Sequence, residues 1–483
     1  MPATPGHMAS HTRATTRLLT ILAAGIFYPA LASLAFAEEP APLELTVSPA
    51  AEPVPALRYH LLPPLEDRVP GNATPIYLRL VYEQGDEWRR LWREEPSRLL
   101  EMPFDEMPLD DAARLVEIFD TALEQMSAAS RRSECDWQYV VENRDPLMVL
   151  LPDAQSMRNN SRLLAVAARY YIRTGNFPAA LTTLGDGLAL GEHVARAPFL
   201  VNQLVGVASD RIMLSEMDHL VELPDAPNLY WALAELPRPL ISLRQGLASE
   251  SQLLVMRFPE LGDLSAPLDW SRLATKLRGW ASEIARSEND TDALAALAKL
   301  QEIPKASLDR AREALPSMTE ITPDTIADMG DAEVEVRYTV ALHRETSAAS
   351  RKWFYAPYSA SVPDYVERTE ALRRDTEERE LYPLVSFLTP IRGNLPAAIA
   401  SLDRLVARQQ TIEALRMHAA ATGQLPATLD DVKLVPVPLD PATGTPFRYT
   451  RDGDAAVLDV TYNFGMNEET LRLPVRIRLR EQQ

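Results

Sequence analysis

The sequence predicts a mainly α-helical protein that closes on a small α+β module. Apolar residues recur at three- and four-residue spacing through most of its length, as in Leu115, Val116, Phe119, Leu123 and Met126, which is the period of one buried helix face. Glycine is scarce, 18 in 483 residues, whereas Ala, Leu, Arg and Glu, which lose little freedom in a helix, are abundant. Strands are expected mainly at the end, beyond Pro446, where the pattern changes to two-residue alternation.

Four stretches follow from these patterns. Arg13 and Arg17 precede an apolar run, Leu18 to Ala37, that ends on Ala35-Phe36-Ala37 before Glu38-Glu39. Basic start, apolar middle and small-x-small end are the order of a Sec-type signal peptide over residues 1–37, which predicts a periplasmic or secreted protein. An N-terminal membrane anchor is the alternative, because about 20 apolar residues can span a bilayer. Pro29 and Ser33 favour cleavage, after which no membrane contact is expected, and no cysteine follows the run to carry a lipid. Residues 38–75 hold Pro40, Pro42, Pro49, Pro53, Pro55, Pro63 and Pro64; proline fixes φ and lacks an amide donor, so the segment reads as an extended tether. Residues 76–390 read as an all-helical body and residues 391–483 as the α+β module.

Within the body the first helix is expected to start near Asp110 or Asp111 and to carry the stripe through Met126. Between Leu163 and Leu190, Gly175-Asn176 marks a turn, Pro178 opens a second helix and Ala180 permits close packing. That is an antiparallel helical hairpin. Ala168, Tyr171, Gly175, Phe177, Ala180, Leu184 and Leu188 fall at the helix-contact positions of a tetratricopeptide (TPR) repeat. Further helices are expected over 199–223, 241–258, 270–284, 293–303, 306–315, 332–354, 364–381 and 395–421, with a short segment over 228–236 cut out by prolines. Strands are expected over 446–450, 456–462 and 471–479, the first two joined by Arg451-Asp452-Gly453-Asp454.

The most ordered stretch is Leu402 to Tyr449, where a striped helix runs into Gly423-Gln424-Leu425-Pro426 and then Val435-Pro436-Val437-Pro438-Leu439-Asp440-Pro441-Ala442-Thr443-Gly444-Thr445-Pro446-Phe447-Arg448-Tyr449. It resembles the soluble half of type II secretion pseudopilins, in which a long helix ends at a Gly-x-Leu-Pro corner and a Pro-x-Asp-Pro-x-Thr-Gly-x-Pro-Phe-x-Tyr turn feeds a small antiparallel sheet. With the helical body before it, the chain looks like a group of secreted, largely helical, TPR-like proteins of planctomycete bacteria. The resemblance implies a long helix packed on a short sheet and brings no catalytic residue with it. No prepilin leader or assembly helix is joined directly to the module, so polymerisation as a pilin is not expected. Pseudopilins of this kind bind calcium in a C-terminal loop. Asp452, Asp454, Asp459, Asn463, Asn467, Glu468 and Glu469 occupy that region here, but their spacing matches no dedicated calcium loop.

Composition narrows the chemistry. Removing residues 1–37 takes away two arginines and no acid, moving the formal charge from −19 to −21, and so acidic a surface repels phosphate backbones. Nucleic acid is excluded as a partner. Cys135 stands alone, so no intrachain disulfide is possible and the thiol reads as a small buried hydrophobe. His60, His193, His219, His343 and His418 form no short-range ligand pair, and no metal or other cofactor is expected. Gly185-Asp186-Gly187-Leu188-Ala189-Leu190-Gly191 imitates a dinucleotide fingerprint, but a helix precedes it where a strand is required, so helix–helix contact is the better reading. No nucleophile elbow, phosphate loop or Ser-x-x-Lys is present, and the sequence names no catalytic residue.

One binding candidate remains: Tyr230 and Trp231, followed by Arg238 and Arg244 among prolines. Aromatics and arginine are the residue types enriched at interface hot spots; the competing account makes Trp231 and Arg238 an internal plug. The functional expectation is a non-catalytic periplasmic or cell-envelope scaffold that binds a protein or peptide partner. Its alternatives are a secreted hydrolase working on glycan or peptide in a groove of the body, and an accessory of a secretion or pilus-like assembly.

Overall fold

The structure is a computed structural model that describes residues 43–82, 85–139, 151–287, 303, 305–360, 395–463 and 470–480. The expected signal segment and the helices expected over 293–303 and 364–381 lie outside the described residues, apart from residue 303. The chain is mainly helical with a small four-stranded sheet. Its helices are α1 (Thr74–Tyr82), α2 (Asp86–Leu100), α3 (Leu109–Ile118), α4 (Asp120–Ser130), α5 (Leu151–Arg173), α6 (Phe177–Ala195), α7 (Leu200–Leu220), α8 (Tyr230–Ala234), α9 (Arg244–Glu250), α10 (Leu253–Arg257), α11 (Trp270–Ser287), α12 (Lys305–Met318), α13 (Pro323–Ala327), α14 (Asp331–Arg351) and α15 (Leu395–Thr422). The strands are β1 (Leu43–Val47), β2 (Val69–Asn72), β3 (Arg132–Glu134), β4 (Arg448–Asp452), β5 (Ala455–Asn463) and β6 (Thr470–Leu479). Among the described residues no helix is long and apolar enough to cross a membrane.

The largest core is built on α5, α6 and α7, which pack on one another. The turn between α5 and α6 needs Gly175, whose φ is +70°, and Asn176 caps α6 by accepting the Ala179 N–H at 3.3 Å. Ala165, Ala168 and Ala180 are fully buried, so the two helices approach closely. One expected helix became two. The stripe from Leu115 to Met126 breaks at Phe119, whose φ of −103° and ψ of 14° leave the helical region; its ring lies edge-to-face against Trp88 at 4.8 Å.

The glycines of α6 are packing residues. They lie inside a helix, as the sequence required for rejecting a phosphate loop. A Cβ on Gly191 would lie 1.9 Å from Asp210 Oδ1, and one on Gly206 of α7 would lie 2.6 Å from the Gly191 carbonyl oxygen. The two backbones therefore meet where side chains are missing. In that contact Asp210 is fully buried and neither carboxylate oxygen has a protein partner. Burial, with Glu192 nearby, raises its pKa well above the ordinary carboxylate value. A folded-state pKa above the unfolded one contributes stability that is complete below the unfolded value, near 3.8, and is lost as pH rises toward the folded value. Asp210→Asn is therefore expected to flatten the fall in stability as pH rises above the unfolded value, by up to about 1.4 kcal/mol per pH unit. Urea melts of the two proteins across that range check this, and parallel curves would reject it.

The terminal sheet has the order β1-β6-β5-β4. β4, β5 and β6 are antiparallel, as expected, but β1 lies parallel to β6 with Leu45 opposite Ile477. Residues 38–75, read from their prolines as an extended tether, thus include an edge strand, and Leu45, Val47 and Leu61 from that stretch are buried. β2 and β3 form a second, two-stranded parallel ladder beside α1. The inner face of the large sheet, Leu45, Val47, Ala456, Leu458, Val475 and Ile477, packs with Ile412 and Leu415 of α15 in one core. Gly423, with φ +77°, ends that helix and donates its N–H to Ala419 O at 2.8 Å.

The described residues of 253–287 and 303–351 pack around α14 instead. One side of it (Val334, Tyr338, Leu342) meets Leu308 and Leu315 of α12 and Ile326 of α13. The other side (Val336, Val340) meets Phe258, Leu261, Leu277 and Trp280.

Candidate interaction site at the terminal sheet

Arginines of α15 hold the sheet on the body. Arg404 makes a bidentate pair with Asp440, Nε to Oδ1 at 2.7 Å and Nη2 to Oδ2 at 2.5 Å. One turn further, Arg408 Nη2 donates to both oxygens of Asp218 on α7, at 2.6 and 2.7 Å. Arg416, fully buried, donates to Glu413 Oε2, to Ser48 O at the end of β1 and to Ala226 O before α8, each at 2.8 Å. One helix is thereby bonded to the module's turn, to the body and to the N-terminal strand. Burial raises the pKa of Glu413 even with Arg416 beside it, and raises that of Asp403 to about 6 while its Oδ1 accepts the Leu240 N–H at 2.9 Å.

The ordered turn motif serves this anchorage. Besides taking Arg404, Asp440 accepts the Ala442 N–H on Oδ1 at 2.9 Å, and its carbonyl accepts the N–H of Gly444 at 2.8 Å. Gly444 supplies the positive φ, +69°, that the turn requires. Phe447 is buried in the sheet core, and the Tyr449 hydroxyl donates to Pro426 O at 2.9 Å, closing the Gly-x-Leu-Pro corner on β4.

Alternation along the strands leaves the other sheet face to solvent. Arg448, Thr450 and Asp452 of β4, Val457 and Asp459 of β5, Arg476 and Arg478 of β6 and Glu44 of β1 share it, with Thr450, Val457, Arg476 and Glu44 in one row across the strands. Arg448 and Arg478 are exposed and Arg476 reaches Asp452 at 3.5 Å. The face named here sets three arginines against three acids and is thus charge-balanced, in a chain of net charge −19.

The four residues singled out for binding differ in exposure: Arg238 and Arg244 are exposed, Trp231 is half-buried and Tyr230 is buried. Tyr230 is only 3% exposed; it sits in the core shared by α15 and the sheet, and its hydroxyl donates to Pro436 O. Trp231 is half-buried with Nε1 on Glu52 Oε1 at 2.6 Å. Arg238 Nη2 donates to Gln410 of α15 at 3.2 Å. Arg244 lies apart, exposed, with Nε on Phe354 O at 2.8 Å and its guanidinium 5.1 Å from the Tyr355 ring centre. Tyr230, Trp231 and Arg238 are thus joints between the body and the module. The alternating arginines along residues 471–479 read as a half-exposed strand in the sequence, but no residue of this face was named there for binding.

Other candidates fall inside the protein. Burial pushes the Cys135 thiol up to about 11, which suppresses the reactive thiolate at neutral pH. Burial, with the Arg196 charge, lowers His193 to about 4, and its Nδ1 lies 3.1 Å from the Tyr77 hydroxyl. Asp452 and Asp454 point to solvent and Asp459 is half-exposed, whereas Asn467, Glu468 and Glu469 lie outside the described residues. Among the described residues no group of three His, Cys, Asp or Glu side chains is placed to hold a metal. Comparison of the chain with family models, curated proteins and solved structures gives no match.

Proposed function

We propose that this is a non-catalytic protein of the periplasm or cell envelope that docks a protein or peptide partner through the outer face of its terminal sheet. One observation carries the reading: a sheet anchored to the body by buried ion pairs leaves uncovered a face of alternating arginines and acids. Arginine is favoured at interfaces because its planar fork pairs with carboxylates and backbone carbonyls. A rigid scaffold beneath such a face limits the order lost on binding. The envelope location rests on the signal-like residues 1–37. In the same reading α5 and α6 act as a TPR-like hairpin, and the Leu395–Arg480 stretch serves as a pseudopilin-like docking unit, which favours an accessory of an envelope assembly over a hydrolase.

In-cell crosslinking of the C-terminally tagged protein, followed by mass spectrometry of the envelope fraction, tests this. One dominant stoichiometric protein partner is expected. In the Arg448→Glu, Arg476→Glu, Arg478→Glu triple variant its yield should fall at least tenfold while stability stays within about 0.5 kcal/mol per site, since these are surface positions. Absence of any partner at native expression, or full retention in the variant, would overturn the proposal.

A further inference from the structure

The two edges of the terminal sheet are finished differently. At β1 the Thr46 N–H donates to Glu222 Oε1 at 3.1 Å and the Ser48 N–H to Val221 O at 3.4 Å, so residues that follow α7 take up that edge. At the other end β4 closes the order β1-β6-β5-β4, and all five of its residues are registered on β5. An edge strand presents a row of main-chain donors and acceptors that can pair with another chain.

The hairpin turn fixes which groups of β4 point to that edge. Gly453, with φ +63°, and Asp454 form a two-residue loop closed by the pair Asp452 and Ala455. The closing pair of such a loop exchanges both main-chain hydrogen bonds, and bonded and non-bonded pairs alternate beyond it. Asp452, Thr450 and Arg448 therefore turn their main-chain groups to β5, whereas Tyr449 and Arg451 turn theirs to the edge. On the solvent side of the strand Arg448 and Thr450 are exposed, and the Asp452 side chain is 78% exposed. Charge on an edge strand ordinarily keeps copies apart. Here the exposed charges are opposite in sign and equally spaced about Thr450, so the edge complements itself.

We propose that β4 pairs with β4 of a second copy of this chain, antiparallel about a two-fold axis through Thr450, joining two four-stranded sheets into one. In this register Arg448 lies opposite Asp452 of the partner subunit, and symmetry repeats the pair on the other side of the axis. Tyr449 lies opposite Arg451 of the partner subunit, and their edge-facing main-chain groups exchange hydrogen bonds. The register is selected by charge. An axis through Arg451 would set that arginine against its own copy, and one through Tyr449 would place Arg448 opposite a threonine. The row Glu44, Arg476, Val457 and Thr450 then runs on into its copy, which doubles the outer face of the sheet. This dimer needs no other protein and does not rest on the docking of a partner.

Crosslinking of the purified full-length protein tests the register. Facing non-bonded residues of antiparallel strands have Cα atoms about 4.5 Å apart, within the span of a disulfide. Under mild oxidation Thr450→Cys should join two chains ~10-fold faster or more than Asp454→Cys, which is exposed at the turn but off the axis; Cys135 is buried. Sedimentation equilibrium reads the association itself. A contact of this size is reversible, so the wild-type protein should pass from monomer to dimer as concentration rises. Arg448→Glu and Asp452→Arg each set like charges opposite one another and should weaken their own dimers ~10-fold or more. An equimolar mixture of the two variants should recover wild-type association, because both facing pairs are then opposite in sign. A wild-type monomer up to about 1 mM, equal crosslinking at positions 450 and 454, or a mixture no tighter than either variant alone would each overturn the dimer.

Discussion

Arg416→Met is expected to remove about 3–5 kcal/mol of stability, the cost of breaking a buried ion pair by deleting one partner. Domains of this kind hold about 5–15 kcal/mol in all, so the variant should lose a large share of it in urea or guanidinium melts. The cause is local. Glu413 is left in the interior without its countercharge, and the carbonyls of Ser48 and Ala226 lose their donor together. Glu413, already raised in pKa by burial, responds by holding a proton, which limits the loss at acid pH and deepens it as pH rises through the raised value. The sign follows from linkage: an acid raised in the folded state favours folding below its unfolded pKa and loses that contribution above it. Adding Glu413→Gln removes the uncompensated charge and should recover part of the loss at pH 8. A double variant no more stable than the single one would show that the carboxylate is not responsible.

Asp440→Ala is expected to cost about 3–5 kcal/mol by the same mechanism, because Arg404, itself 2% exposed, loses a bidentate carboxylate. A second loss adds to it: the Ala442 N–H held by Oδ1 at 2.9 Å goes unmet in the turn. Asp440→Asn keeps an acceptor for that N–H and removes only the charge, so it should fall between wild type and alanine. Denaturant melts with matched slopes check the order. If both variants stay within about 0.5 kcal/mol of wild type, the anchorage of the sheet by α15 is wrong.

These two positions also mark how far the residues spoke for themselves. Asp440 and Gly444 stood out because a proline-rich turn needs an acceptor and a positive φ at set spacings. Arg404 and Arg416 gave no sign, since arginines on a striped helix read as its solvated face until another element covers them. Tyr230 and Trp231 were legible as special, an aromatic pair between prolines, but not as to which side of the surface they occupy. The same residue types make a hot spot or a joint, depending on what packs above.

β1 shows the limit most plainly. Leu43-Glu44-Leu45-Thr46-Val47 alternates as a strand should, yet prolines lie on both flanks, and its partner β6 is more than 400 residues away in sequence. Most described helices from α3 onward, the α5–α6 turn, the packing role of the α6 glycines and the three consecutive strands were determined by the sequence alone, because periodicity, caps and turn residues act within a few positions; α1 and α2, which precede Asp110, and the break of 241–258 into α9 and α10 were not. The parallel fourth strand and the burial of α15's arginines were decided only by tertiary structure. They depend on which distant segments meet, and a local pattern carries no record of its remote partner.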